Sequence, residues 1–477
     1  MSTALSSASL ANTVASRARV RRALTLMFMT VVLPGSAQLV AGNKRVGRIA
    51  MRAAAAAAAS LVALAALGLF TSPTHLVTLF TTIWFLTVIR FALIAYAVGW
   101  VYLIIDAWRL ADPMSLRQSQ RLLMTGLNGI LCFALSGALL FASHLVAVQK
   151  DFIQTVFGST TVTSAEHGRY NVLLLGGDAG PHRVGIRPDS VTVASIDAQT
   201  GRTILFGLPR NLADVPFPKG SAMHKQFPHG FNCAQECYLN AVYTWATDHP
   251  NLFPHAKDPG IEATTQAVEQ ITGLTMNYYV LIDLHGFQSL VDALGGVTLN
   301  VHQPIAIGGP TVSHISGWIK PGRQHLDGYQ TLWFARSRAT SDDYSRMARQ
   351  KCVMSAMLHQ LNPQTVLTNF SAIAKAGKQL VSTSVPASEL DTFVGLALKA
   401  RRLPVATVSF VPPRINTGKP NWRLIRTMVK GAIAKSQTLD GGAGTAAKHH
   451  HHHHQMGGPS ASASYAANDS SNLNHVC

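Results

Sequence analysis

The sequence predicts a multi-span helical membrane anchor followed by an α/β domain. Three observations carry that expectation. Of 477 residues, 48% are hydrophobic and only 13% charged, against roughly 25% charged in ordinary soluble domains. The apolar residues gather into four long stretches within the first third. Beyond residue 168, short apolar runs of strand length alternate with segments of helical periodicity. Lys and Arg number 40 against 22 Asp and Glu, a formal charge of +18, so the partners should be anionic: nucleic acid, lipid headgroups or phosphorylated substrates.

The four stretches are Ala23 to Ala41, Ala50 to Phe70, Leu76 to Ile105 and Leu122 to Val148. About 20 apolar residues are needed to cross a bilayer core of about 30 Å. The second and fourth meet that length. The third carries Arg90 and holds one tilted or one broken span. The first contains Pro34-Gly35, so it reads as a re-entrant or interfacial hairpin. Arg17, Arg19, Arg21 and Arg22 precede it, Lys44, Arg45, Arg48 and Arg52 follow it, and Arg109, Arg117 and Arg121 occupy the loop after the third stretch. Positive residues mark the cytoplasmic side. Residues 1–22 are then a basic cytoplasmic N-terminus and 23–148 an anchor of a re-entrant segment plus about three spans. Residues 149–167 form a linker, and everything from Gln149 onward is extracytoplasmic.

Cysteine usage agrees with that compartment. Cys132 falls inside the fourth stretch, leaving Cys233, Cys237, Cys352 and Cys477 outside. Four cysteines allow three pairings. The local pair Cys233/Cys237 with Cys352/Cys477 is preferred, the second tying the tail back to the domain. A metal site at Cys233, Cys237 and a histidine is the alternative, without a second closely spaced pair to support it.

Within the domain, Tyr170 to Leu175 is a continuous apolar run suited to a buried strand, followed by strands at Ser190 to Ile196 and Thr203 to Leu208. Helices are expected at Cys237 to Thr247 and Ile261 to Thr272, a strand at Asn277 to Asp283, and a helix at Phe287 to Leu294 with Asp283 as its cap. Leu326 to Phe334, Arg346 to Leu361 and Ser388 to Arg401 complete the helices, and Thr407 to Val411 the strands. The domain spans 168–413, and 414–477 is an extension. From Ser436 the tail is rich in Gly, Ala and Ser and contains the unbroken row His449 to His454. That row reads as a tag or as a native metal-sequestering tract, and the tail is set aside from function.

Five segments carry chemistry. Gly176-Gly177-Asp178 ends the first strand, where open α/β sheets place ligands, and Arg187-Pro188-Asp189-Ser190 begins the second. Two carboxylates there can share a divalent cation completed by water and phosphate oxygens. Leu208-Pro209-Arg210-Asn211 ends the third strand. Arg336 and Arg338, two residues apart, face one way on a chain leaving a helix. Arg346, Arg349 and Gln350 share a helix face. Arginine is the side chain for bidentate phosphate contact, so arginines around two carboxylates point to a pyrophosphate with a bridging metal. Taken singly, each Asp reads as a cap or turn residue and each Arg as a solvated charge. No Walker-type loop or nucleophile elbow is present.

The runs Asn171 to Asp178, Arg187 to Ser190, Leu208 to Asn211, Leu294 to Val297, Leu326 to Gln330, Ala335 to Arg338 and Asp343 to Gln350, in that order, resemble a LytR-CpsA-Psr domain. The resemblance implies an extracytoplasmic α-β-α fold with a central mixed sheet and a hydrophobic pocket for a polyprenyl chain. It implies a phosphotransferase that moves a glycopolymer from a polyprenyl-pyrophosphate carrier to the muramic acid 6-hydroxyl of peptidoglycan, with pyrophosphatase activity on the side. Membrane lipid is a further partner. Asp178 and Asp189 would hold Mg²⁺, or Mn²⁺ in its place. Arg187, Arg210, Arg336, Arg338, Arg346 and Gln350 would contact the pyrophosphate, with Asp178, Arg338 and Arg346 catalytic. Asn211 stands where many members carry Asp, and Ser345 where Gly is common. The anchor and composition resemble actinobacterial members, which implies arabinogalactan as cargo. Replacing Arg338 or Arg346 by Ala is expected to abolish transfer and leave the fold intact. The rival reading is a non-catalytic polyprenyl-pyrophosphate-binding scaffold for wall assembly. Nucleic acid is excluded as partner by the external placement and the lack of a helix-turn-helix pattern.

Overall fold

Side-chain alternation along three central strands decides the layering. In the computed structural model, which describes residues 2–70, 79–80, 82–157, 161–177, 187–233, 237–308, 315–339, 341–360, 381–441 and 463–477, two units separate at Asp151/Phe152. Asp178 and the row His449 to His454 lie outside the described residues.

The N-terminal unit holds α1 (Ser2–Val32), α2 (Ser36–Ala41), α3 (Lys44–Phe70), α4 (Ile83–Leu110) and most of α5 (Gln118–Val156). Three of these helices are long and apolar enough to cross a membrane, over Lys44–Leu67, Ile83–Leu110 and Gln118–Val156. The chain breaks between α1 and α2 at the expected Pro34-Gly35. Gly35 takes φ 94°, and an added Cβ would lie 2.7 Å from both Ala50 Cβ and the Gly47 carbonyl oxygen, so only glycine fits this reversal. Gln38 of α2 is fully buried and donates to the Leu103 carbonyl of α4 at 2.9 Å. That bond satisfies the amide nitrogen, while the buried Gln38 Oε1 has no hydrogen-bond partner among the described residues.

The second unit is built on a mixed sheet of seven strands, in the order β11-β10-β3-β2-β1-β4-β9. These are β1 (Arg169–Gly177), β2 (Pro188–Asp197), β3 (Thr203–Leu208), β4 (Tyr278–Asp283), β9 (Val381–Thr383), β10 (Ala406–Ser409) and β11 (Asp469–Ser470). β1 runs parallel to β4 and β10 parallel to β3; the other neighbours are antiparallel. Val191 and Val193 of β2 and Ile204 and Phe206 of β3 enter one core, while Ala194 and Leu205 enter the other, the two-residue period of a strand. On the first face lie α7 (Leu239–Asp248), α8 (Pro259–Thr272) and α13 (Trp422–Gly441), preceded in sequence by the short α6 (Ala222–Gln226). On the second lie α9 (Leu284–Ala293), α10 (Gly328–Arg336) and α11 (Asp343–Gln360). A further helix, α12 (Leu390–Ala400), precedes β10.

β1 to β4, β10 and most helices fall where the sequence places them, whereas the short edge strands β9 and β11 were not anticipated. Leu326 is a difference: it ends a strand instead of starting a helix. The reason is Asp327, whose carboxylate accepts from Gln330 N at 2.7 Å in a capping box that fixes the start of α10 at Gly328. Two small antiparallel ribbons, β5 (Val297–Val301) with β8 (Gly322–Leu326) and β6 (Ile305–Gly308) with β7 (Ile315–Ile319), and helix α13 were not anticipated. Asp283 caps α9 as expected, accepting from Gly286 N at 2.7 Å. Disulfides join Cys233 to Cys237 and Cys352 to Cys477, the preferred pairing, and Cys132 is free. Setting the whole tail aside was too broad. Ser436 belongs to α13, and residues 463–477 pack onto the second core, with Leu473 fully buried.

Lys351 of α11 is fully buried over the sheet. Its ammonium donates to Asn468 Oδ1 at 3.0 Å and to the Met347 carbonyl at 3.4 Å. It fits there because Gly207 has no side chain: a Cβ would lie 2.8 Å from Lys351 Nζ. Burial pushes the Lys351 ammonium down from 10.5 to about 7. Between those values the unfolded chain binds the extra proton, so stability rises with pH. Urea unfolding should therefore show the wild-type domain gaining up to about 1 kcal/mol per pH unit from pH 7 toward pH 10 through this group. Lys351→Met should flatten that rise, and an unchanged slope would remove Lys351 as its source.

Candidate active site

Five side chains from four separate segments form one ion-pair cluster. Asp189, the second residue of β2, receives Arg210 Nη1 on Oδ1 at 2.8 Å. Arg346, on the first turn of α11, donates from Nη2 to the Asp189 backbone carbonyl at 2.9 Å and brings Nη1 to 3.9 Å from Asp189 Oδ2. Asp343, one turn before Arg346, is the hub: its Oδ1 lies 3.1 Å from Arg346 Nη2, 3.2 Å from Arg210 Nε and 3.7 Å from Arg338 Nη1. Three guanidiniums thus face two carboxylates, leaving one positive charge in excess.

The charges are unequally exposed. The Arg346 side chain retains 4% of its surface, Asp343 19% and Arg338 41%. Burial works to raise the Asp189 carboxyl, but Arg210, Arg346 and a hydrogen bond from Asn240 outweigh it and hold Asp189 below the ordinary carboxylate value. Burial likewise works against the Arg210 cation, and Asp189 and Asp343 overcome it to raise Arg210. For Arg346 burial prevails, lowering its value despite both carboxylates. Its Nε is buried and has no hydrogen-bond acceptor among the described residues. A buried cation with a spare donor is suited to an incoming anion.

Two cavities meet at this cluster. The first, about 430 Å³, lies between the sheet and the second helical layer, with Leu174, Val280 and Ile282 on the sheet side and Phe287, Leu332, Met354 and Met357 opposite. Its lining also includes Asp189, Ser190, Arg336, Arg346 and Gln350. The second, about 440 Å³, is polar and lined by Arg210, Asn211, Arg338, Ser341, Asp342 and Asp343. The ion pairs are the wall the two share. An apolar chain in the first cavity and a hydroxylated group in the second would both have their junction at the arginines.

Of the expected site residues, Asp189, Arg210, Arg338 and Arg346 come together. Arg336 ends α10 with its guanidinium 5.3 Å from the centre of the Trp333 ring, at the lining of the apolar cavity, whereas Arg338 lines the polar one. The two do not face one way, because the helix ends between them at Arg336. Gln350 donates to the Ala335 carbonyl at 3.2 Å. Arg187 is exposed immediately before β2. Arg349 turns inward: Nε donates to the Phe334 carbonyl at 2.6 Å, Nη2 to the Ser337 carbonyl and Nη1 to Ser341 Oγ, so it braces the connection carrying Arg338. Burial lowers it to about 10, still charged at neutral pH. Asn211 Nδ2 reaches Thr417 Oγ1 at 3.4 Å, and Ser345 N is capped by Asp342 Oδ1 at 2.8 Å. Asp343 was missed by sequence reasoning; its signal is the i, i+3 spacing to Arg346.

A divalent cation fits Asp189 in part. Oδ1 is engaged by Arg210, Oδ2 lies 3.9 Å from Arg346 Nη1, and Asn240 adds a hydrogen bond to the carboxylate, which still offers hard oxygen donors. Asp178, the expected second ligand, lies outside the described residues.

The burial pattern separates the two arginine substitutions expected to leave the fold intact. Arg346→Ala would leave two part-buried carboxylates to Arg210 and Arg338, and Asp343→Ala would leave the buried Arg346 to Asp189 alone, each breaking a buried pair at a cost of about 3 kcal/mol. Arg338→Ala, at a largely hydrated pair, should change stability by less than about 1 kcal/mol. Denaturant melts of the three variants check this ordering, and an Asp343→Ala as stable as wild type would contradict it.

The LytR_cpsA_psr family model matches residues 142–417. The chain is 27% identical over 238 residues to the polyisoprenyl-teichoic acid–peptidoglycan teichoic acid transferase TagU of Oceanobacillus iheyensis, covering 48% of this chain and 63% of that one. It is 33% identical over 170 residues to the cell wall biosynthesis protein LcpA of Corynebacterium glutamicum, covering 34% and 31% respectively. The matched part thus spans less than two thirds of either relative. A solved LytR-Csp2A-Psr enzyme from Actinomyces oris superposes with TM-score 0.40 at 20% identity, covering 57% of this chain and 92% of the other. This chain belongs to the LytR_cpsA_psr family.

Proposed function

We propose that the protein is a membrane-anchored phosphotransferase that moves a cell-wall glycopolymer, arabinogalactan being the favoured cargo, from a polyprenyl-pyrophosphate carrier to the muramic acid 6-hydroxyl of peptidoglycan. The observation that carries this reading is the apolar cavity of about 430 Å³ sharing a wall of arginines with a polar one. A polyprenyl pyrophosphate has that division of chemistry: an apolar chain, a compact polyanion and a hydroxylated glycan. The Oceanobacillus relative, named as a polyisoprenyl-teichoic acid–peptidoglycan teichoic acid transferase, supports the same class.

In this reading the prenyl chain lies against Leu174, Ile282, Phe287 and Met354, and the pyrophosphate takes the spare donors of Arg346 and those of Arg338 and Arg210. The acceptor oxygen forms a bond to the phosphorus that bears the glycan while the bond from that phosphorus to the bridging oxygen breaks. Prenyl monophosphate leaves, and the hydroxyl proton passes to Asp178 or to water. Such transfers depend on positioning and on neutralising charge on the departing phosphate. Mg²⁺ held by Asp178 and Asp189 would supply further charge neutralisation. The basic residues flanking the first apolar stretch support a cytoplasmic position for that side, and with it a domain outside the cell on a multi-pass anchor.

The test is phosphate-linked product release by the full chain in detergent from a polyprenyl-pyrophosphate glycan analogue, with Mg²⁺ or EDTA, beside Arg338→Ala. Loss of about a hundredfold or more in kcat/KM is expected for the variant, which deletes a donor aimed at the developing charge. Tight lipid binding without release, even with a peptidoglycan acceptor added, would assign a scaffold instead. Met354→Trp should raise KM for long-chain carriers by about tenfold and spare short-chain ones, since only the former fill the cavity. Equal effects on both would place the chain elsewhere.

A further inference from the structure

The 463–477 segment is tied to the middle of the helix that carries Arg346 by the Cys352–Cys477 disulfide, and it reaches that helix's first turn through a buried side chain, Asn468, which is 3% exposed. Asn468 Oδ1 accepts from Lys351 Nζ at 3.0 Å and from Ser409 Oγ at 3.2 Å. Its Nδ2 donates to the Tyr344 carbonyl at 2.8 Å. Three partners from two elements thus meet on one amide. Tyr344 is the residue between Asp343, the hub of the ion pairs, and Ser345, which precedes Arg346.

The segment is fixed independently of that amide. Cys477 is bonded to Cys352, Leu473 is fully buried, Thr407 Oγ1 donates to the Ala467 carbonyl at 2.9 Å, and β11 pairs with β10. Asn468 is therefore held from both sides and can impose a position on what it bonds. The carbonyls of a first helical turn point along the helix, so a donor at Tyr344 O sets the placement of that turn. We propose that Asn468 is a positioning residue for the arginine site: through the Tyr344 carbonyl it fixes the first turn of α11 and with it Asp343 and Arg346. This rests on the proposed transfer reaction for its activity readout only.

The competing role is purely structural, in which Asn468 serves merely as the acceptor for buried Lys351. Asn468→Asp separates the two. It keeps oxygens for Lys351 and Ser409 but turns the donor facing Tyr344 O into an oxygen. Asn468→Ser, shorter and neutral, is the second variant should the carboxylate prevent folding. Each would be studied in the full chain by thermal unfolding, by amide hydrogen exchange over residues 345–350, and by kcat and KM for prenyl-phosphate release.

The expected result is a Tm within about 3 °C of wild type, exchange in the first turn of α11 faster by about fivefold or more, and kcat lower by about tenfold. KM for the carrier should move less than about twofold, because the carrier still binds while its reacting geometry is lost. Exchange and kcat equal to wild type, or lowered only in proportion to the unfolded fraction in both variants, would overturn the proposal. Should the wild-type chain release no product, the transfer reading fails, and exchange alone still decides on Asn468. Faster first-turn exchange supports the positioning role, and wild-type protection overturns it.

Discussion

Asp343, ion-paired with three guanidiniums, is the constraint from which the rest of the site follows. Its carboxylate draws Arg210 from the end of β3, Arg338 from the chain leaving α10 and Arg346 from its own helix onto a single oxygen. Without that hub three like charges would have to be kept together in a partly desolvated place, where repulsion is poorly screened. With it, the cluster carries one excess positive charge and a buried arginine donor without an acceptor among the described residues. Not every buried arginine here has that character. Arg169 and Arg349 spend their donors on backbone carbonyls and hydroxyls, which marks them as internal braces.

The fold serves that cluster by geometry. Because β1 to β3 alternate strictly between two cores, the second face of the sheet is free to form one wall of an apolar cavity, and α9, α10 and α11 supply the other. Asp189 and Arg346 line that cavity while their partners line the polar one. The position of α11 is consequently decisive, and it is held from several directions: the Asp342 cap, Arg349 on the preceding connection, the Cys352 disulfide and Asn468. A helix that must keep a buried cation in place needs more than its own packing.

Much of this was legible in the sequence. The continuous run Tyr170 to Leu175 and the alternation in Ser190 to Ile196 read as strands because burial on one or both faces leaves a direct trace. Asp189, Arg210, Arg338 and Arg346 stood out because arginines next to strand and helix ends are chemically conspicuous. Other features left a weaker trace. The ribbons within 297–326 are four or five residues long, below the length at which alternation is distinguishable from chance. Asp343 sits in Ser341-Asp342-Asp343, which reads as an ordinary helix cap, and Asp342 does take that role. The docking of 463–477 was visible only through Cys477, since Asn468 and Leu473 in a Ser/Ala/Asn-rich tail carry no periodicity. That Arg336 and Arg338 diverge depends on where α10 ends, and termini are the least predictable part of a helix.

The most direct measurement is NMR of the arginine Nε–Hε signals of the full chain in detergent during titration with geranylgeranyl pyrophosphate. If the cluster is the anion site at the mouth of the apolar cavity, the Arg346, Arg210 and Arg338 signals shift together and saturate at one concentration, while Arg169 and Arg349 stay in place. Saturable lipid binding that leaves the Arg346, Arg210 and Arg338 signals unmoved would put the pyrophosphate elsewhere and contradict the assignment of this site.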